Sequence, residues 1–192
     1  LGNRNKLEKI IAVEYTMIDT RRIKEAQQNV KHYLEEGLLK REKQEIAKEK
    51  YIQNADLSLK VANELLISPT KPYLWIIVIS YYAMFYIANA VLLHLGYKTQ
   101  EKIVHKVTND ALLVFVLHKL KKELMEEYEQ IKEEALEIAQ INAQQLIESY
   151  SLELEKRSRF QYNMLEETKA AKAKTSLERA SLFIFEMKKI LN

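Results

Sequence analysis

The sequence predicts an all-α protein: an antiparallel up-and-down helical bundle with a four-helix core and an N-terminal helical arm. Of its 192 residues, three are glycine and two are proline, while 47% are hydrophobic and 30% are charged. This composition is typical of ordered helical proteins. Alternation of polar and apolar residues between turn-forming clusters, the signal of a strand, is not found, so we expect no strands. The length fits one domain, or one domain with an appendage.

The arm is predicted to cover residues 1–42 and the bundle residues 43–192. Apolar residues recur at helical spacing through Lys6–Arg41, although this segment is highly charged. Gly37 would cost about 1 kcal/mol inside a helix, so we expect a bend or a boundary near it. A free helix of this length is marginal in water. The apolar side chains of the arm are therefore expected to pack on the bundle or on a partner subunit, namely those of Leu7, Ile10, Ile11 and Tyr15.

Two predicted helices flank the clearest break in the chain. The first covers Lys43–Ile67 and the second Tyr73–Leu95. Both prolines of the protein lie in the SPTKP segment between them, Ser68–Pro72, where Thr70 is a candidate cap for the second helix. Gly96 suits the position directly after the end of that helix.

The second of these helices is apolar enough to require a test for membrane insertion. Residues 72–97 contain no Lys, Arg, Asp or Glu, and about 20 apolar residues suffice to cross a bilayer. However, polar side chains are spread through the segment, where a lone span would have leucine and isoleucine: Ser80, Asn89, His94, Tyr73, Tyr81, Tyr82 and Tyr86. We therefore expect a buried central helix and no membrane partner.

Three further helices complete the bundle. A short one is predicted over Glu101–Leu117, a long one from Leu117 to Lys156, and a last one up to Leu191. Asn163 followed by Glu166 has the form of a capping pair at a helix start. The long helix has a seam of apolar residues at alternating three- and four-residue steps: Leu117, Leu120, Leu124, Tyr128, Ile131, Ala135 and Ile138.

Composition and spacing exclude several kinds of site. With no cysteine there is no disulfide framework or thiolate metal site, which suits a cytoplasmic protein. The four histidines lack ligand spacing, and none has the glutamate three residues before it that a di-iron bundle requires. We therefore expect no metal and no cofactor. The glutamates of the long helix are expected to form a solvated face: Glu126, Glu127, Glu133, Glu134 and Glu137.

The strongest candidate for a binding site lies where the long helix is expected to break. The net charge of +3 argues against a broad nucleic-acid-coating surface but leaves room for a small basic site. Arg157 continues the apolar seam and could hold a phosphate by paired hydrogen bonds, with further donors from Arg159, Gln161 and Tyr162. In a continuous helix Arg157 and Tyr162 would be about 140° apart, so a shared site needs a break between them. The alternative is a helix-end arginine that favours the negative end of the helix dipole or reaches solvent.

Two segments together resemble the HEPN family, compact helical domains of prokaryotic toxin–antitoxin and RNA-processing systems. They are SYYAMFYIANAVLLHLGY at Ser80–Tyr97 and RSRFQYN at Arg157–Asn163, and the resemblance covers about Glu49–Leu191. HEPN ribonucleases carry an arginine, usually a polar residue after it, and a histidine four to six residues on. Arg157 fits the arginine, Ser158 fits the polar residue, and Tyr162 stands where the histidine is expected. A group of prokaryotic HEPN proteins is similar in having an arginine, four residues and a tyrosine.

The resemblance implies a cytoplasmic homodimer that binds RNA or a nucleotide, as a toxin–antitoxin component acting with a nucleotidyltransferase. Its phosphate-binding residues would be Arg157, Ser158, Arg159, Gln161 and Tyr162, with Arg157 and Tyr162 as the catalytic pair. Tyrosine titrates near pH 10, and histidine near neutrality, so Tyr162 is a poor general base. We therefore expect weak or absent metal-independent ribonuclease activity. The alternative is a non-catalytic helical module for interaction or assembly.

Overall fold

The computed structural model describes residues 18–148 and 166–192, which form an all-α helical bundle. The predicted fold class is confirmed. The helices of this part of the chain are α1 (Thr20–Glu35), α2 (Glu45–Leu66), α3 (Tyr73–His94), α4 (Val104–Phe115), α5 (Lys122–Glu148) and α6 (Glu166–Leu191). Two short strands, β1 (Leu39–Arg41) and β2 (Tyr97–Thr99), and a 3₁₀ turn at Leu117–Lys119 complete the described elements.

Helix α3 is the centre of the bundle. It packs against α2, α4, α5 and α6, and fifteen of its 22 residues are buried. Among the described residues it is the helix long and apolar enough to cross a membrane, yet 83% of its most apolar 18-residue window is buried by the rest of the protein. A helix that is apolar all round suits the core of a soluble bundle, because it has neighbours on most sides.

The ends of α3 agree only partly with the predicted signals. Gly96 follows the helix with φ +88°, the left-handed conformation that favours glycine at this position. Thr70, in contrast, does not cap the helix start, so that prediction was wrong. The capping position is occupied by Pro72, which makes no side-chain capping bond. The Thr70 hydroxyl instead shares a 2.8 Å hydrogen bond with the hydroxyl of Ser68 inside the preceding turn.

The expectation that the chain has no strands was wrong. Strand β1 pairs antiparallel with β2, with Leu39 opposite Thr99 and Arg41 opposite Tyr97. Each strand has only three residues, which is too short for an alternating pattern to be visible in the sequence. The pairing ties the segment after α1 to the segment after α3, and it buries Leu39 completely.

Helix α1 belongs to the packed structure. It ends at Glu35, and Gly37 follows with φ +68°, so the boundary predicted near Gly37 is confirmed. Ala26, Val30 and Tyr33 are buried on one face of α1, and the helix packs on α4 and β1. The apolar residues predicted to anchor the start of the arm, Leu7, Ile10, Ile11 and Tyr15, lie outside the described residues.

Helix α5 starts later than predicted. Leu117–Lys119 forms the 3₁₀ turn, and Leu120 has an extended backbone with ψ 160°, so the helix can begin only after it. From there the predicted seam is confirmed, with these side chains buried: Leu124, Tyr128, Ile131, Ala135 and Ile138. The predicted end at Lys156 and the predicted cap Asn163 lie outside the described residues.

Helices α5 and α6 pack antiparallel, as two ion pairs between them show. Lys172 contacts Glu134 at 2.8 Å, and Arg179 contacts Glu127 at 3.3 Å. Residue numbers thus rise along one helix as they fall along the other. Helix α5 is described to Glu148 and α6 from Glu166. The predicted binding site belongs to the sequence between them.

Candidate functional site

The predicted phosphate-binding residues, Arg157, Ser158, Arg159, Gln161 and Tyr162, lie outside the described residues. The structure therefore does not test whether these residues share a site. The described part of the chain contains a different concentration of charge, at the junction of α1, α4 and α5. We call it the polar network, and its members are Arg22, Asn29, Tyr33, Asn109, Asp110 and Glu129.

The network is centred on Asp110, whose side chain is buried from solvent. Its Oδ1 accepts a 2.7 Å hydrogen bond from Nη2 of Arg22. Its Oδ2 accepts from the Asn29 amide and from the Tyr33 hydroxyl, both at 2.9 Å. All three donors lie on α1, whereas Asp110 lies on α4. A buried carboxylate needs such partners because isolated charges are costly to desolvate.

Glu129 brings α5 into the same network. The Nη2 atom of Arg22 contacts Glu129 Oε1 at 3.1 Å, so one guanidinium nitrogen bridges two buried carboxylates. The Asn109 amide donates to the same glutamate oxygen at 2.6 Å. The remaining oxygens, Glu129 Oε2 and Asn109 Oδ1, have no hydrogen-bond partner among the described residues. Glu129 is thus the less completely satisfied of the two acids.

The environment of the network shifts the pKa values of two of its members. Burial disfavours the charged form of Arg22, but the hydrogen bond and charge of Asp110, together with Glu129, outweigh it and raise the pKa of Arg22. Burial, followed by the hydrogen bond to Asp110, raises the pKa of Tyr33 well above its usual value. Arg22 therefore remains a cation and Tyr33 a neutral donor at neutral pH. This chemistry suits a structural tie between helices rather than proton transfer.

A second group of polar and aromatic side chains adjoins the network. His105 Nδ1 shares a 2.6 Å hydrogen bond with the hydroxyl of Tyr81. The imidazole also lies 4.7 Å from the Phe85 ring and 5.9 Å from the Tyr82 ring, centroid to centroid. Burial, then the positive charge of Lys132, lowers the pKa of His105. The His105 ring is therefore partly buried against aromatic side chains of α3.

The positive charge of Lys132 interacts both with the polar network and with His105. Burial lowers its pKa, and the negative charges of Glu129 and Glu133 oppose that effect only in part. The lysine lies one helical turn after Glu129 on α5, on the same side of the helix. Two carboxylates, one guanidinium and one amine thus share a partly desolvated region.

The lowered pKa of His105 makes stability depend on pH. The unfolded chain takes up the histidine proton at a higher pH than the folded protein, so unfolding is favoured as the pH falls through about 6.5. We expect protonation of His105 to change the free energy of unfolding by at most about 1.4 kcal/mol per pH unit. The free energy of unfolding, measured with denaturant, should fall between pH 7.5 and pH 5.5. The fall should be smaller for His105→Gln than for the unaltered protein. An equal loss in both would contradict the assignment.

The glutamates of α5 only partly form the solvated face that was predicted. Glu133 and Glu137 are exposed. Three others have specific partners: Glu126 accepts a 3.0 Å bond from the backbone N–H of Ile18, Glu127 pairs with Arg179, and Glu134 pairs with Lys172. These glutamates hold α6 and Ile18, which precedes the start of α1, against α5. Over residues 18–148 and 166–192, no group of three or more potential ligands could hold a metal ion.

Sequence reasoning missed the polar network, although a signal was present. In α4 the polar run Thr108–Asp110 lies between the apolar residues Val107 and Ala111 and is buried. Buried polar side chains need hydrogen-bond partners, so three consecutive ones point to partners on neighbouring elements. Their partners could not be identified, because Asp110 and Arg22 are 88 residues apart in the chain.

No protein-family model, no characterised protein and no solved structure matched the chain.

Proposed function

We propose that the chain is a HEPN-like protein that binds RNA or a nucleotide through the segment from Arg157 to Tyr162. The observation that carries the proposal is that the YYAMFYIANAVLLHLGY stretch, which resembles the family, contributes most of the central helix α3 and its end. An all-α bundle with this helix at its centre is the architecture that the resemblance implies. The function itself is supported by the resemblance in sequence.

The basic segment has the composition expected of a small phosphate site. Arg157 and Arg159 supply guanidinium groups for paired hydrogen bonds to phosphate oxygens. Phe160 and Tyr162 supply rings on which unpaired bases can stack. The modest net charge of +3 favours such a local site over a broad basic surface.

The wider role follows from the same resemblance. We propose a cytoplasmic homodimer that acts with a nucleotidyltransferase in a prokaryotic toxin–antitoxin system. Ribonuclease activity is weak or absent, because Tyr162 replaces the histidine that would titrate near neutral pH.

An assembly module without ligand chemistry is the second candidate. It is favoured by large apolar side chains that remain exposed on α2 and α6. Leu57 is 60% exposed, Leu182 is 50% exposed and Phe185 is 59% exposed. Exposed apolar groups that cluster are typical of protein interfaces.

Photo-crosslinking distinguishes these two candidates. Irradiation of the protein with a uridine-rich single-stranded RNA, followed by trypsin and mass spectrometry, should attach nucleotide mass to the peptide Phe160–Lys169. The reason is that stacked aromatic rings lie against the bases. Crosslinks confined to peptides from other parts of the chain would contradict the proposed site, and no crosslinks at all would favour the assembly module.

A further inference from the structure

The outer face of α6 carries an apolar pair between two charged residues. Leu182 and Phe185 are 50% and 59% exposed. Glu178 and Lys189 are also exposed, with 64% and 56% of their side chains accessible. At 100° per residue these four side chains fall within an arc of about 60° on the helix. They therefore form one continuous strip, which we call the α6 strip.

The inner face of α6 is already occupied, so the strip is free of the bundle. Ala180, Phe183, Ile184 and Met187 are buried against the core, on the side of α6 opposite to the strip. Among residues 18–148 and 166–192, the contacts recorded for the charged ends of the strip are all within α6. The Lys189 amine lies 4.4 Å above the Phe185 ring and 2.6 Å from Glu186 Oε1, and Glu178 has a long 3.9 Å contact to Lys174. Exposed pairs of this kind contribute little to stability, so they can be exchanged for contacts with another molecule.

The α6 strip is complementary to a second copy of itself that runs in the opposite direction. The midpoint between Leu182 and Phe185 along the chain is also the midpoint between Glu178 and Lys189. If two copies of α6 pack antiparallel about a two-fold axis at this point, Leu182 of each faces Phe185 of the other. The same arrangement places each Glu178 opposite a Lys189. A two-fold interface requires this kind of self-complementary surface.

We propose that the α6 strip is the surface through which two copies of this chain form a symmetric dimer. Apolar contact at the axis supplies attraction, and the two Glu178–Lys189 pairs fix the antiparallel direction and the register. A single helix face is smaller than a standard protein interface, so the dimer is weak and concentration-dependent. The inference goes beyond the proposed function, because it rests on the exposed face of α6 and does not depend on RNA binding.

A charge exchange tests both the surface and the register. Sedimentation equilibrium over a range of concentrations should show reversible dimerisation of the unaltered protein. Glu178→Lys should weaken it by about tenfold or more, because the two-fold axis makes each substitution create two like-charged contacts. Lys189→Glu should do the same. The double variant Glu178→Lys/Lys189→Glu restores both opposite pairs and should dimerise about as well as the unaltered protein.

The two residues are exposed, so none of these variants should lose its fold, and circular dichroism checks this. The exposed substitution Lys24→Glu on α1, remote from α6 in the sequence, is the matched control and should leave the dimer intact. The proposal is overturned if the unaltered protein is monomeric at the highest soluble concentration. It is equally overturned if the single variants dimerise normally, or if the double variant stays as weak as the single ones.

Discussion

Replacing Arg22 by alanine is expected to destabilise the protein by about 3 kcal/mol. Removing one partner of a buried ion pair typically costs about 3–5 kcal/mol, because the other charge stays buried without compensation. Here two carboxylates, those of Asp110 and Glu129, lose the same guanidinium nitrogen. We place the effect at the lower end of the range because 21% of the Arg22 side chain is accessible to solvent.

Thermal unfolding by circular dichroism measures this effect directly. For a protein of this size, about 3 kcal/mol corresponds to a fall in Tm of roughly 6–12 °C. Arg21→Ala is the matched control, since it removes the same charge from the neighbouring, exposed position of α1. Its Tm should change by no more than about 2 °C, as expected of surface substitutions. Equal Tm values for the two variants would show that the polar network does not hold α1 to the bundle.

The helices could be predicted from the sequence because their apolar residues recur at a helical period. The buried residues of α5, from Leu124 to Ile138, were predicted in this way and are confirmed. The end of α3 was predicted because Gly96 can adopt a positive φ at little cost. Such signals are local, so one stretch of sequence is enough to identify them.

The strands and the polar network could not be predicted because both depend on pairs that are distant in sequence. Strand β1 acquires its conformation only by hydrogen bonding to β2, about 60 residues later. Arg22 and Glu129 are each charged residues on a helix, and nothing local distinguishes them from surface charges. Their burial follows from the way α1 crosses α4 and α5, which is a property of the tertiary fold.

The largest effect on function is expected from Arg157→Ala. A bidentate contact between a guanidinium and a phosphate contributes about 1.5–3 kcal/mol, which corresponds to a loss of roughly 10- to 150-fold in affinity. If Arg157 has the proposed role, stability should change little, because an arginine that serves a ligand contributes little net folding energy. These two expectations together distinguish a binding arginine from one that merely ends a helix.

The affinity of Arg157→Ala for single-stranded RNA is the most direct test of the proposed function. Fluorescence anisotropy at a fixed salt concentration should show that the unaltered protein binds the RNA. The control Arg21→Ala, which loses the same charge elsewhere, should bind equally well. Arg157→Ala should have a Kd at least about tenfold higher. All three proteins should have similar Tm values. If Arg157→Ala binds RNA as well as Arg21→Ala does while its Tm falls, Arg157 is a structural residue at a helix end, and the proposed binding site is wrong.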